Sequence, residues 1–259
     1  ITVELNDGTE HAATIVGSDS SSDIAVIKID ATGLTAATLG NSDNLAVGET
    51  VVAVGNPMGT LSGTVTDGIV SAVNRAVEVE GNEMNLIQTD AAISPGNSGG
   101  GLFNGKGELI GIVNASGSTT TSSGAVSQNL GFAIPISDAM DIATQLIENG
   151  YVARPALGVM ILDINDAQTA YQYGVSNYGV YIIQVTPGGG ADQAGLQAGD
   201  RIVSVDSNSV TTGQDLTSYL ETKEIGDTVE LQIEREGRMA TYTVSLGESS
   251  ANTGESAAG

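Results

Sequence analysis

A mainly β chain is predicted: short strands that close into a barrel or sandwich, then a second, smaller unit. Three observations carry this. Glycine supplies 35 of the 259 residues, about twice its usual share of about 7%, as expected of a chain with many tight turns. Short apolar and β-branched runs succeed one another with turn residues between them, and no helix-period stretch interrupts them before residue 137. Both phenylalanines, Phe103 and Phe132, precede residue 150, whereas all seven tyrosines lie from Tyr151 onward. This break places a domain boundary between Gly150 and Pro155. A 40% hydrophobic content suffices for sizeable cores, and the length fits one large or two ordinary domains.

In chain order, residues 1–5 alternate as a strand, and Asn6-Asp7-Gly8 turns the chain back into a strand over 9–16. Further strands are expected over 24–29, 50–54, 64–73, 86–89, 108–113 and 132–135. Ser137 is placed to cap a helix whose apolar face is Met140, Ile142, Ala143, Leu146 and Ile147, ending at Asn149-Gly150. Beyond the boundary, strands are expected over 157–162, 179–185, 201–205, 228–235 and 239–246. Helices are expected over 191–195 and 212–221. Residues 248–259, mostly Ser, Ala, Gly and Glu, have nothing to bury and read as a disordered tail.

Acidic residues outnumber basic ones 31 to 8, a net charge of -23. Such a chain repels phosphate backbones and lacks the clustered Lys and Arg of nucleic-acid binding. The absence of Cys excludes disulfides and thiolate chemistry, and a single His excludes a multi-histidine metal site. No metal or cofactor is called for, and no phosphate-gripping Gly-rich loop with Lys suggests ATP coupling. No run reaches the roughly 18 apolar residues of a membrane span. The chain opens in mid-strand, so a segment upstream of Ile1 is expected and missing targeting signals carry little weight.

The sharpest local feature is Ser94-Pro95-Gly96-Asn97-Ser98-Gly99-Gly100-Gly101. A nucleophilic serine needs a tight turn that presents its hydroxyl, with backbone N–H groups converging on one point. Glycines permit the dihedrals and leave the approach open. A Gly-rich hairpin with an incidental Ser is the other reading. The segment also fits the G-x-S-x-G elbow of α/β-hydrolases, but that fold requires a helix after the Ser and a later His. Here a turn and the strand over 109–113 follow, and no His does.

Residues 89–100, Thr89-Asp90-Ala91-Ala92-Ile93-Ser94-Pro95-Gly96-Asn97-Ser98-Gly99-Gly100, resemble the active-site loop of the HtrA/Deg family, trypsin-like serine proteases with C-terminal PDZ domains. Ser22-Asp23-Ile24-Ala25-Val26 resembles the strand that starts with the catalytic Asp. Gly55-Asn56-Pro57-Met58-Gly59 resembles the family's Gly-Asn-Pro turn, and Gly131-Phe132-Ala133-Ile134-Pro135 its last barrel strand. Arg154-Pro155-Ala156-Leu157-Gly158-Val159 and the run from Gly190-Ala191 to Gly199-Asp200-Arg201-Ile202 resemble the PDZ part. The resemblance implies a chymotrypsin/trypsin-like double β-barrel, incomplete at its N-terminus, over 1–150, and a PDZ domain over 154–247.

It also implies site residues. Ser98 is the nucleophile, Asp23 orients the catalytic His, and the N–H groups of Gly96 and Ser98 form the oxyanion hole. The substrate pocket is lined by Ala92 and Ile93 and by Asn129, Leu130, Gly131 and Phe132. With no buried acid among them, it suits small to medium apolar side chains. His11, the one histidine, stands beside its own hairpin turn and reads as a surface residue. The family's His lies upstream of the Ile1 strand, so the segment carrying it is expected outside this chain, leaving the chain alone inactive. Residues 75–84 correspond to a loop that senses activation in the family, or form a solvated hairpin.

In the PDZ part, Leu157, Gly158 and Val159 are expected to hold a peptide's terminal carboxylate, with Leu216 and Leu220 forming the pocket for its last side chain. A groove filled by the chain's own residues 163–177 is the alternative, and Tyr171, Tyr173 and Tyr178 there either pack locally or form an exposed patch. The implied partners are unfolded proteins, C-terminal peptides and copies of the chain in a homotrimer. The implied place is periplasmic or otherwise extracytoplasmic, with membrane attachment left open. The competing function is a proteolytically inactive, chaperone-like or peptide-binding protein on a protease fold.

Overall fold

The computed structural model describes residues 1–56, 63–79, 82–117 and 130–249. They fall into two compact units, Ile1–Val152 and the chain from Ala153 onward. Among the described residues no helix is long and apolar enough to cross a membrane.

The first unit begins with an open antiparallel sheet of β1 (Thr2–Glu4), β2 (Glu10–Asp19) and β3 (Ile24–Ile29). Asp7 closes the first turn by accepting from the Thr9 N–H at 2.9 Å and the Thr9 hydroxyl at 2.6 Å. Buried Asp19 closes the second by accepting from the Ser22 N–H at 2.9 Å. That second turn delivers Asp23 to the start of β3 with φ at 54°, a left-handed conformation uncommon for a residue other than glycine.

Then β4 (Thr50–Gly55), β5 (Thr64–Val79), β6 (Asn82–Thr89), β7 (Gly101–Asn104), β8 (Leu109–Gly117) and β9 (Leu130–Pro135) close into a barrel in the order β4-β5-β6-β9-β8-β7. Alternation along the strands sends Val51, Ala53, Leu102, Ile110 and Ala133 to its interior. The other face of β9 sends Phe132 and Ile134 outward, into a second core with Ile24, Leu86 and the helix α1 (Ile136–Asn149). That double burial is why β9 reads as an unbroken apolar run. Strand β7 escapes sequence reading because its four residues continue the glycine cluster.

Helix α1 starts one residue before the expected cap. Pro135 occupies the N-cap without a side-chain bond. The cap comes from elsewhere, because the Ser137 N–H donates to the Ser42 hydroxyl at 3.1 Å. Its end is as expected, with Gly150 at φ 83° and its N–H bonded to the Leu146 carbonyl.

The second unit holds β10 (Arg154–Ala156), β11 (Val159–Ile164), α2 (Ala167–Tyr173), β12 (Gly179–Val185), α3 (Gly190–Ala194) and β13 (Arg201–Val205). It continues with β14 (Asn208–Ser209), α4 (Gly213–Leu220), β15 (Thr228–Arg235), β16 (Arg238–Ser245) and β17 (Gly247–Ser249). The main sheet runs β11-β12-β13-β15-β16, with β14 hairpinned to β13. Val229, Leu231 and Ile233 on β15 alternate inward and are essentially solvent-free. Each contributes about 1.5–3 kcal/mol of burial.

Two expectations are corrected here. Glu248 and Ser249, read as the start of a disordered tail, pair in β17 with Pro155 and Arg154 of β10; residues 250–259 lie outside the described residues. The stretch 163–177, read as a possible groove filler, instead ends β11 and folds into α2. Asp166 caps α2 by accepting from the Gln168 and Thr169 N–H groups, and Tyr171, Tyr173 and Tyr178 point to solvent.

Helix α4 carries a capping box, in which Thr212 and Asp215 satisfy each other's free N–H groups. Asp215 accepts from the Thr211 hydroxyl at 2.7 Å and from the Thr211 and Thr212 N–H groups at 2.8 and 2.9 Å. The Thr211 hydroxyl, helped by the two N–H groups, lowers the Asp215 pKa to about 2. Because the folded value lies below the unfolded one of about 3.9, the stabilisation is complete above about pH 4 and is lost as pH falls toward 2. Asp215→Ala is therefore expected to cost about 1 kcal/mol at pH 7. Thermal melts should show that difference narrowing at pH 2, and a pH-independent difference would refute the assignment.

Candidate active site

Residues 89–101 are fastened to the barrel from both sides. The Ile69 N–H donates to Asp90 Oδ1 at 2.7 Å, and the Ala91 N–H donates to Thr89 Oγ1 at 3.0 Å. Asn97 is buried beneath the serine, so close to Gly55 that any Cβ there would overlap the Asn97 amide. Its Nδ2 donates to the Ala92 carbonyl at 3.4 Å. Two tight turns then bracket Ser98, with the Asn97 N–H bonded to the Ser94 carbonyl and the Gly100 N–H to the Asn97 carbonyl, each at 2.9 Å. The loop is stitched to β8 by Gly99 N–H to the Val113 carbonyl (2.7 Å) and Val113 N–H to the Gly100 carbonyl (2.8 Å).

This bonding leaves Ser98 exposed on a rigid support. Gly96 and Gly99 sit at φ 98° and 82°, values that a side chain would strain. Among the described residues, the N–H groups of Gly96 and Ser98 have no acceptor. Two unpaired donors, one on the serine itself and one two residues before it, can receive a developing oxyanion. Asp23 and Ser98 line one cavity of about 550 Å³ whose other walls are mostly apolar, among them Ile24, Ile112, Ile134 and Met140. The Asn114 side chain on β8 donates to Asp23 Oδ2 at 2.7 Å.

In the second unit, a cavity of about 350 Å³ runs between β11 and α4. Leu157, Gly158, Val159, Leu216 and Leu220 all line it. Gly158 sits at φ 79°. Among the described residues the N–H groups of Leu157 and Gly158 have no acceptor, while their carbonyls take the Ala191 and Thr186 N–H groups. Strand β11 is an edge of the sheet, where a further strand can add. None of residues 163–177 lines the groove, so the reading of that stretch as its filler is withdrawn.

Comparison with known proteins gives a trypsin-like peptidase domain over residues 1–112 and a PDZ domain over 155–246. The chain is 42% identical over 265 residues to the serine protease Do-like HtrA of Bacillus subtilis (strain 168), spanning 97% of this chain and 58% of that protein. Against the probable periplasmic serine endoprotease DegP-like of Halomonas elongata, identity is 43% over 249 residues, spanning 96% and 51%. The solved structure of the HtrA-type protease AlgW with decapeptide matches at a TM-score of 0.63 and 37% identity, over 96% of this chain and 75% of that one.

The chain belongs to the HtrA family. It spans a little over half the length of these two curated relatives, and its fold is the trypsin-like barrel followed by PDZ that its motifs imply.

The remaining sequence-derived residues of this HtrA chain are placed as follows. Gly131 abuts Ile93, since a Cβ there would stand 2.6 Å from Ile93 Cγ1. Ala92 is exposed and gives its carbonyl to the Thr66 hydroxyl at 3.0 Å. Leu130 and Phe132 pack with the α1 core, so the side chain of Phe132 turns away from Ile93. Asn129, Pro57, Met58 and Gly59 lie outside the described residues. Arg75 lies within β5, paired in register with Leu86, and donates to Gln88 at 3.1 Å. The backbone of Glu78 is paired with Glu83. His11 stands on β2 opposite Val3 and is not among the residues lining the Asp23–Ser98 cavity.

Sequence reasoning missed Asn114, whose burial in the site has no counterpart in its neighbours' types. The loop's dependence on backbone closeness gives a prediction. A Cβ at Gly100 would overlap the Val54 carbonyl oxygen and stand 2.8 Å from the Asn97 carbonyl oxygen. Gly100→Ala should therefore displace Ser98 and lower kcat by about 100-fold. Gly105→Ala, with nothing within 4 Å, should be silent. Equal kcat for the two variants would refute the claim.

Proposed function

We propose that this chain carries the nucleophile and the orienting acid of a serine endopeptidase that degrades unfolded or damaged proteins in the cell envelope. The observation that supports this most is the exposed Ser98, whose N–H and that of Gly96 have no acceptor among the described residues, sharing a cavity with Asp23. In this reading an imidazole enters that cavity. Asp23 accepts a hydrogen bond from one ring nitrogen and holds the tautomer whose other nitrogen takes the Ser98 proton. Ser98 Oγ attacks the scissile carbonyl, and the Gly96 and Ser98 N–H groups bind the oxyanion, each donor contributing about 3 kcal/mol in the transition state. No imidazole among the described residues lines the cavity, so the base comes from a His-bearing segment outside these 259 residues, and the apolar walls near Ile24 and Met140 are its seat.

Ala92, Ile93 and Gly131 carry no charge, which favours small to medium apolar P1 residues. The second unit binds C-terminal peptides, with the Leu157 and Gly158 N–H groups holding the carboxylate. The AlgW relative, solved with a decapeptide, is in keeping with peptide binding. The reading includes an extracytoplasmic location, in keeping with the periplasmic description of the Halomonas relative, and assembly as a homotrimer.

The test is covalent. A fluorophosphonate probe added to the full-length protein should form one adduct, located at Ser98 by peptide mass spectrometry. Absence of the adduct in protein that still binds peptide would favour the inactive, peptide-binding alternative. For the second unit, a peptide ending in Val should bind with its carboxylate free and at least tenfold more weakly when amidated. Equal binding of the two would withdraw the C-terminal reading without touching the protease one.

A further inference from the structure

We infer that Asn114 is a positioning residue for Asp23. The inference rests on the reading of Asp23 as the acid that orients the catalytic base. Asn114 lies on β8, 7% exposed, and its Nδ2 donates to Asp23 Oδ2 at 2.7 Å across 91 positions of sequence. Only this amide orientation suits a carboxylate, because the reverse would set two oxygens against each other. The consequence is that Asn114 Oδ1 is buried with no partner among the described residues. A buried unpaired acceptor costs stability, so packing alone gives no reason for an amide at this position, and a bond to a functional carboxylate does.

The placement tells what the bond does. Asp23 closes a turn at φ 54°, and its carboxylate is free to rotate unless one oxygen is held. With Oδ2 fixed by Asn114, Oδ1 is presented in one direction to a ring N–H. The neighbouring residue on the same strand, Val113, exchanges backbone hydrogen bonds with Gly99 and Gly100, the two residues that follow Ser98. Strand β8 therefore grips the nucleophile loop by its main chain at residue 113 and the acid by its side chain at residue 114. It thereby sets the geometry between the two.

The test uses a pair of variants of equal shape. Asn114→Thr keeps a donor on a strand-compatible side chain, and Asn114→Val replaces that hydroxyl by a methyl. In the full-length protein, with a fluorogenic peptide substrate, Asn114→Val should lower kcat about tenfold. KM should stay unchanged, and the melting temperature unchanged or raised, because the unpaired acceptor is gone. Asn114→Thr should recover most of kcat. Equal kcat for the Thr and Val variants, in a protein that Ser98→Ala inactivates, would overturn the role of Asn114 while leaving the protease reading intact. Wild-type turnover by Ser98→Ala would overturn both.

Discussion

Ser98→Ala in the full-length protein is expected to slow peptide hydrolysis by about 10⁶-fold, and Asp23→Asn by about 10⁴-fold. The two numbers differ for a physical reason. On the proposed mechanism, removing the hydroxyl removes the attacking atom, and what survives comes from substrate binding and from the Gly96 and Ser98 N–H groups, which have no acceptor among the described residues. An amide at residue 23 leaves the nucleophile in place but offers the base an N–H where it needs an acceptor, which favours the wrong tautomer. Because the groups act as a unit, the double variant should be no slower than Ser98→Ala alone. Initial rates on a fluorogenic peptide with Val at P1 decide this. Multiplicative losses in the double variant would mean that Asp23 acts on something other than the base that serves Ser98. KM should change little throughout, since neither residue belongs to the pocket proposed around Ala92, Ile93 and Gly131.

How much of this was legible in the sequence depended on whether the constraint was local. The serine loop could be read because its demands fall on the backbone. Gly96 and Gly99 need left-handed dihedrals and Gly100 needs bare space against Val54, so glycines appear at fixed offsets from Ser98. The five groove residues of the second unit could be read for a similar reason, as a Leu-Gly-Val turn facing a helix with two leucines one turn apart. Long-range partnerships could not. The cap of α1 comes from Ser42, 95 residues away, so the nearby Ser137 was the natural but mistaken choice. Phe132 lies beside Gly131 in sequence yet on the opposite face of β9. Helix α2 did carry a local signal, Asp166 three residues before Thr169, masked by a polar stretch that resembled a loop. Strand β17 has no apolar side chain and exists because β10 offers it a partner. Asn114 is legible only once β3 and β8 are seen together.

Asp200→Ala is expected to destabilise the second unit by about 3 kcal/mol. Asp200 is 1% exposed and receives two bonds from Arg235, Nε to Oδ1 at 2.6 Å and Nη2 to Oδ2 at 2.7 Å. It also accepts from the Gln197 N–H at 2.8 Å, holding the turn that leads into β13. Arg235 is further committed, donating to the Gly195 carbonyl at 2.9 Å and standing over the Tyr242 ring. Truncating the acid thus unpairs a donor in the turn and strands a guanidinium whose remaining contacts are fixed. The Arg235 side chain is 30% exposed and recovers some hydration, which keeps the cost at the lower end of the range for buried pairs. By contrast, Arg154 and Glu221 approach only to 4.0 Å with exposures of 23% and 44%, and Glu221→Ala should cost under about 1 kcal/mol. Salt separates the two cases, since screening reaches exposed pairs and hardly touches a carboxylate at 1% exposure. Urea unfolding at 0.05 and 0.5 M NaCl should leave the Asp200→Ala loss unchanged, and a loss that halves in high salt would show that Asp200 is held by solvent-accessible attraction and not by the bidentate bond.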